Sequence, residues 1–342
     1  MRIGIPREIK DGEFRVALTP RGVAALRNVV VEPGAGLGVG FTDADYVAAG
    51  ATLGDAWACD LVVKVKELQA PEYGKPRRGQ TVFGFQHFAP EPELLEAALA
   101  RGATFIAYET VGQRDARLPI LAPMSAIAGR LAVQVGAWCL QKQNGGSGVL
   151  LSGLAGVPAG KIVILGAGKV GSNALAVAHG LGAHTTVFAK SERRFPELRR
   201  RFPAAKYRAG LDAAVLADAD LIIGGVLTPG QLSPKLISRK LLGAMRPGSA
   251  LVDVGIDQGG IAETSRPTSH SEPIYIAEGV VHYCVPNMPA ACARTASLAL
   301  EQAVLPYVEM LARGEMNDDL HTGVQVTRGK VVHEQLARDT GK

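Results

Sequence analysis

The chain has 342 residues, enough for two domains that each bury a core. Its 47% hydrophobic and 20% charged residues exclude a disordered or collagen-like chain, and no apolar run reaches the roughly 18 residues of a membrane span. Cys59, Cys139, Cys284 and Cys292 are too scattered for a zinc site, a redox dithiol or a disulfide framework, so a cytoplasmic protein without a metal is the expectation. The opening Met1–Pro6 reads as a strand rather than the apolar core of a secretory signal. The net charge of +5 is concentrated at one spot. Residues 190–208 hold eight Lys and Arg against Glu192 and Glu197, so this stretch alone is +6. A general nucleic-acid binder is basic over a broad face with aromatic residues between the charges, and this chain is not.

In chain order, Ile3–Pro6, Val29–Val31, Leu61–Val65, Val82–Phe85 and Phe105–Tyr108 read as short strands. Pro20–Leu26 and Glu91–Ala100 read as helices between them, a pattern that predicts a mostly parallel sheet. Met124–Trp138 reads as one long helix, capped near Ser125 and broken by the Asn144–Gly148 cluster. A second α/β unit follows: strand Lys161–Leu165, helix Lys169–Leu181 and strand Thr185–Ala189. Leu221–Gly225 and Ala250–Gly255 are further buried strands, separated by a helical pattern over Pro234–Met245. Arg294–Ala312 is helical with Pro306 inside it, and a polar, charged tail closes the chain.

Gly166-Ala167-Gly168-Lys169-Val170-Gly171 follows a β-branched strand and opens a helix, the context a pyrophosphate-binding turn requires. Gly166 allows the tight turn, Gly168 lets backbone N–H groups approach phosphate, and Gly171 permits close helix–strand packing. The helix N-terminus adds partial positive charge, to which Lys169 and Val170 contribute their N–H groups. Val226 and Leu227, just past the strand Leu221–Gly225, are further cofactor candidates.

An NAD-binding unit ends its second strand with Asp or Glu, roughly 20 residues past the first glycine, to hold the ribose hydroxyls. Here Ala189 stands there, followed by Lys190, Ser191, Glu192, Arg193 and Arg194. The missing acid and the new bases coincide. They predict NADP(H) over NAD(H), with Lys190, Ser191, Arg193 and Arg194 as candidates for a 2′-phosphate. Arg199–Arg201 read as a solvated basic helix face.

Beyond the glycine turn the chain resembles the alanine dehydrogenase and transhydrogenase alpha-subunit superfamily over nearly its whole length. The resemblance is carried by Pro6-Arg7-Glu8, Arg15-Val16-Ala17-Leu18-Thr19-Pro20, Lys64-Val65-Lys66-Glu67, Ala107-Tyr108-Glu109-Thr110 and Ala122-Pro123-Met124-Ser125. It continues through Ala128-Gly129-Arg130, Val252-Asp253, Ile256-Asp257-Gln258-Gly259-Gly260 and Pro286-Asn287-Met288-Pro289-Ala290. The Lys-Val-Lys-Glu and Ile-Asp-Gln-Gly-Gly stretches favour the dehydrogenase side. Enzymes of that kind interconvert L-alanine with pyruvate and ammonium. The resemblance implies that Arg15 holds the substrate carboxylate, Lys66 polarises the carbonyl or imine oxygen, His87 is the acid/base and Asp257 completes proton transfer near the nicotinamide. It implies Met124 beside the substrate and Ser125, Asn287 and Met288 along the cofactor.

The chemistry asks for the same residue types: a bidentate cation for a carboxylate, an imidazole for proton transfer near neutral pH, an ammonium for a developing oxyanion. The chain departs from the family at Ala126, usually Glu, and at Gln86, usually apolar or aromatic. It is also trimmed near Arg27–Glu32 and Gly54–Cys59.

The expected fold class is α/β, two Rossmann-like domains. A discontinuous substrate domain is built from both chain ends (1–120 and 298–342), and the central domain (121–297) holds the dinucleotide, with the reaction in the cleft between them. The expected partners are a 2-oxo or 2-amino acid and ammonium, with no nucleic acid or membrane, in a homo-oligomer that the family suggests is a hexamer. Rival readings are a relative acting on a different 2-oxo acid, a saccharopine-dehydrogenase-like amine condensation, a transhydrogenase-type subunit and a nucleotide sensor without turnover.

Overall fold

The computed structural model describes residues 1–115, 117–226 and 233–342. Its strands are β1 (Ile3–Ile5), β2 (Val29–Val31), β3 (Thr52–Leu53), β4 (Leu61–Val63), β5 (Thr81–Gly84) and β6 (Thr104–Ala107). They continue as β7 (Lys161–Leu165), β8 (His184–Ala189), β9 (Lys206–Ala209), β10 (Leu221–Gly224), β11 (Ala250–Asp253), β12 (Ile274–Ala277) and β13 (Val280–Tyr283). β14 (Val324–Thr327) and β15 (Lys330–Val331) follow near the end. The chain divides into two units, Met1–Met124 with Ala290–Lys342, and Ser125–Pro289. The divisions fall inside the helix Leu121–Cys139 and the turn Met288–Cys292, against the 120/121 and 297/298 read from sequence.

In the first unit β1 to β6 are parallel and lie in the order β3-β2-β1-β4-β5-β6. β14 adds antiparallel to β6, and β15 pairs with β14. The second unit repeats the plan as β9-β8-β7-β10-β11-β13, with β12 antiparallel on the edge. Both are the doubly wound arrangement, whose strand order reverses beside the first strand and opens a crevice at the carboxyl ends. The α/β expectation is met in each unit. β1, β2 and β4 are buried at every residue, as parallel strands covered on both faces must be. A side chain buried this fully contributes about 1.5–3 kcal/mol. Gly4 lets the turn Ala56–Ala58 close onto β1, because a Cβ there would lie 2.0 Å from the Ala56 carbonyl oxygen.

Three local expectations are corrected. The long helix starts at Leu121, not at a Ser125 cap. Pro123 then sits in its first turn, where a missing N–H costs nothing. Pro234–Met245 is not one helix: Ile237 pairs with Ala262 in an extended bridge, and Ser238 caps a short helix Arg239–Gly243. The buried strand expected over Ala250–Gly255 ends at Asp253, whose carboxylate accepts the Gly255 N–H and starts a 3-10 turn, Val254–Gln258. The closing tail, read from sequence only for its composition, holds helices Asp318–Gly323 and Glu334–Thr340, and β14 buries Val326 against the first sheet. Among the described residues no helix is long and apolar enough to cross a membrane.

Candidate active site

The carboxyl ends of β1, β4, β5 and β6 carry the polar residues of the first unit. Their meeting follows from strand register. β4 pairs with β5 at an offset of 20 (Val63 opposite Phe83), and the same offset beyond the strand ends brings Glu67 to His87. β5 pairs with β6 at an offset of 23 (Gly84 opposite Ala107), which carries Gln86 to Glu109. His87 has a left-handed backbone (φ 48°), a strained conformation that costs about 1–3 kcal/mol. Glu109 holds it there, accepting the N–H groups of His87 (2.8 Å) and Gln86 (3.2 Å).

Three side chains converge at this point. Glu67 Oε2 is 2.8 Å from His87 Nδ1 and 3.1 Å from Lys66 Nζ, while Lys66 Nζ is 3.3 Å from His87 Nδ1. Lys10 pairs with the other Glu67 oxygen. Lys66 and Glu67 are buried, whereas the His87 side chain is 40% exposed and stacks on Phe85. Burial pushes the Glu67 carboxyl up, but the His87 hydrogen bond with the Lys66, His87 and Lys10 charges outweighs it, so the carboxyl stays far below its usual range. An ionised carboxylate only accepts, so the Glu67 contact calls for a hydrogen on Nδ1.

The sign of that shift gives a stability prediction. A depressed carboxyl stabilises the fold fully above its unfolded value of 4.5, and less as pH falls below it. Removing one partner of a buried ion pair costs about 3 kcal/mol. A Glu67→Gln protein is therefore expected to be less stable than wild type by about that amount at pH 7. In urea titrations the gap should narrow steadily below pH 4.5. A gap independent of pH would contradict the ion-pair account.

Arg15 is buried and clamped by Glu13, with Nε–Oε1 at 2.7 Å and Nη2–Oε2 at 2.5 Å. Its Nη1 lies 3.3 Å from the Met124 sulfur. Beneath, Lys64 is fully buried between Glu72 (3.0 Å) and Glu8 (3.3 Å), and Glu8 also accepts the Val65 and Lys66 N–H groups. Desolvation would lower the Lys64 ammonium, yet the two carboxylates keep it above its usual value.

In the second unit the glycine turn takes the shape its sequence implies. Gly166 has φ 107°, which L side chains rarely adopt, and its N–H donates to Phe188 O at 2.8 Å. A Cβ at Gly171 would lie 1.8 Å from Gly166 O, and one at Gly129 would lie 2.2 Å from Val170 O. Nothing stands within 4 Å of a Cβ built on Gly168, which precedes the helix Lys169–Gly180 and leaves its first N–H groups open to an anion. The cradle fits a pyrophosphate.

Ala189 ends β8, and Lys190, Ser191 and Arg193 beyond it are exposed. Arg194 lies 3.3 Å from Glu197. Arg199 covers the Phe195 and Tyr207 rings, Arg201 the Phe202 ring, and Arg208 pairs with Asp212 at 2.5 Å. Val226 follows β10 and Met288 is buried; Asn287 has φ 56° and Ser125 is half-buried in its helix. Asp257 is exposed in the turn after β11. Leu227 lies outside the described residues. Asp253, noted in sequence only as part of a motif, is a structural anchor: it accepts from Gly255 N–H, Ile261 N–H and Ser265 Oγ, and burial raises its pKa.

Sequence reasoning gave no role to Glu67, Glu13 or Glu109. Glu67 and Glu109 stood inside stretches already singled out, but only strand register shows them beside His87. Among the described residues there is no cluster of three or more His, Cys, Asp or Glu fit for a metal.

Two doubly wound units, one with a dinucleotide-type glycine turn and one with a Lys–Glu–His cluster at its strand ends, define the class as an α/β oxidoreductase. Family models place it further: residues 4–128 match the alanine dehydrogenase/PNT N-terminal domain and residues 132–334 the C-terminal domain. The chain belongs to the alanine dehydrogenase/PNT family, whose dehydrogenase members are nicotinamide-dependent enzymes acting on a CH–NH2 group. It is 47% identical to an alanine dehydrogenase of Halomonas elongata over 100% of this chain and 97% of that protein. It is 45% identical to one of Mycobacterium tuberculosis, over 100% and 97%. A solved L-alanine dehydrogenase superposes with a TM-score of 0.96 at 44% identity, covering 100% of this chain and 99% of that one. A transhydrogenase from Sinorhizobium meliloti superposes at 0.84 and 27% identity, over 97% and 100%.

Proposed function

We propose that the chain interconverts L-alanine with pyruvate and ammonium and prefers NADP(H), with NAD(H) as the poorer cofactor. The observation that carries the reading is the Lys66–Glu67–His87 cluster, placed by register at the carboxyl ends of adjacent parallel strands. When bound, the nicotinamide supplies the hydride acceptor for the amino acid and the donor for its imine. Arg15, held rigid by Glu13 and flanked by Met124, binds the substrate carboxylate through its guanidinium. The Lys66 ammonium faces the substrate oxygen and stabilises the negative charge that develops as ammonia adds and water leaves. His87 Nε2 takes and returns the protons of those steps, while Glu67 holds Nδ1–H and offsets the imidazolium. Asp257 is assigned the closing proton transfer, and Ser125, Val226, Asn287 and Met288 the flanks of the cofactor.

The NADP(H) preference rests on Ala189. A carboxylate there would repel a 2′-phosphate, and Lys190, Ser191 and Arg193 are exposed to receive one. Arg194 joins them by leaving a surface pair with Glu197 worth at most about 1 kcal/mol. Each charge-assisted hydrogen bond contributes about 1.5–3 kcal/mol, or ten- to a hundredfold in preference. A homo-oligomer, hexameric as in the family, and a cytoplasmic location belong to the same proposal.

The test is a screen of 2-oxo acids with ammonium or small amines and NADPH. Pyruvate with ammonium is expected to give L-alanine with a kcat/KM at least about tenfold above any other pair. A strong preference for another 2-oxo acid, or for an amine in place of ammonium, would replace the reading with amino-acid dehydrogenation or amine condensation on that substrate.

A further inference from the structure

The helix Ala293–Ala312 carries three polar side chains toward the N-terminal loop of its own unit. Arg294, Ser297 and Glu301 stand at i, i+3 and i+7 and therefore share one helical face. Arg294 donates to Val39 O at 2.5 Å, and Ser297 Oγ accepts the Val16 N–H at 3.0 Å. Glu301 Oε2 accepts the Thr19 N–H at 2.6 Å and the Gly22 N–H at 3.2 Å. Thr19 occupies the cap position of the helix Pro20–Ala24, but its own side chain makes no cap bond. The distant carboxylate of Glu301 does that work. Gly22 leaves room for it, since a Cβ there would lie 2.6 Å from Glu301 Oε2.

Ser297 and Glu301 are 0% and 2% exposed. Burying a hydroxyl and a carboxylate is costly, and apolar residues of similar volume would often hold two segments together as well. What backbone-directed acceptors add is a fixed path. They pin the N–H groups at 16, 19 and 22, the stretch that begins one residue past Arg15, while Glu13 fixes the guanidinium itself. A displacement of about 1 Å at a binding group costs up to about a hundredfold in rate or affinity.

We infer that Ser297 and Glu301 are positioning residues for Arg15 and set the affinity for the substrate carboxylate from the far end of the chain; this rests on Arg15 being the carboxylate holder. Steady-state kinetics of Ser297→Ala, Ser297→Thr and Glu301→Gln test it, with Arg15→Lys alongside. In Ser297→Ala and Glu301→Gln the KM for the 2-oxo acid should rise about tenfold. The inhibition constant of propionate, a plain competing carboxylate, should rise in parallel, while kcat and the KM for NADPH stay within about twofold. Ser297→Thr keeps the hydroxyl and should restore both values. If Glu301→Gln does not fold, the Ser297 pair carries the test alone. Lower thermal midpoints with unchanged KM and propionate inhibition would overturn the inference and leave Arg15 standing. An Arg15→Lys enzyme with unchanged KM and propionate inhibition would instead remove Arg15, and the inference with it.

Discussion

A Lys66→Met enzyme is expected to lose about 10²–10³-fold in kcat for reductive amination of pyruvate, with the KM for the dinucleotide unchanged. Methionine keeps an unbranched stem of similar length but carries no ammonium. The wild-type Nζ is buried, 3.1 Å from Glu67 and 3.3 Å from His87, so in the proposed role its charge is already in place when the substrate oxygen becomes negative. The substitution also leaves Glu67 with only His87 and Lys10, so some of the loss arises through the imidazole. Saturating kinetics with pyruvate and ammonium measure the effect. A kcat within about tenfold of wild type would remove Lys66 from the chemistry.

Ala189→Asp is expected to turn the cofactor preference round. Asp at the end of β8 would accept from ribose hydroxyls and repel a 2′-phosphate, two effects that act in opposite senses on NADH and NADPH. Together they are worth about 3 kcal/mol, so the NADPH/NADH ratio of kcat/KM should fall by at least about a hundredfold. Arg193→Ala should lower NADPH use about tenfold and leave NADH nearly unchanged. A ratio unmoved by both changes would place the specificity elsewhere.

Much of the fold was legible because its strands are short, apolar and β-branched, and its turns are marked by glycine and capping residues. The stretches that were not legible share a cause. β14 (Val-Gln-Val-Thr) and β15 (Lys-Val) lack the continuous apolar run of the buried strands, and they gain their place from pairing, β14 with β6 and β15 with β14. Pro234–Met245 has helical spacing, yet backbone bonds to Ile261 hold Leu236 and Ile237 extended. Tertiary pairing overrode local pattern there.

The candidate site divides the same way. Residue types and family order pointed to Arg15, Lys66 and His87, but the partners that set their state lie across strands. Glu67 is adjacent to Lys66 in sequence and is joined to His87 only through the β4–β5 register. Glu109 holds the strained His87 backbone from just past the end of β6, a role no composition or motif announces. Asp253 entered the sequence reading only as part of the Val252-Asp253 stretch. Its three hydrogen bonds show that it shapes the turn bearing Asp257.

The most direct single measurement is the paired kcat/KM for NADPH and NADH in the reductive amination of pyruvate by the wild-type enzyme. L-alanine formation with NADPH favoured by at least about tenfold is the result expected from the missing acid at Ala189 and the exposed bases beyond it. Equal or better use of NADH would contradict it.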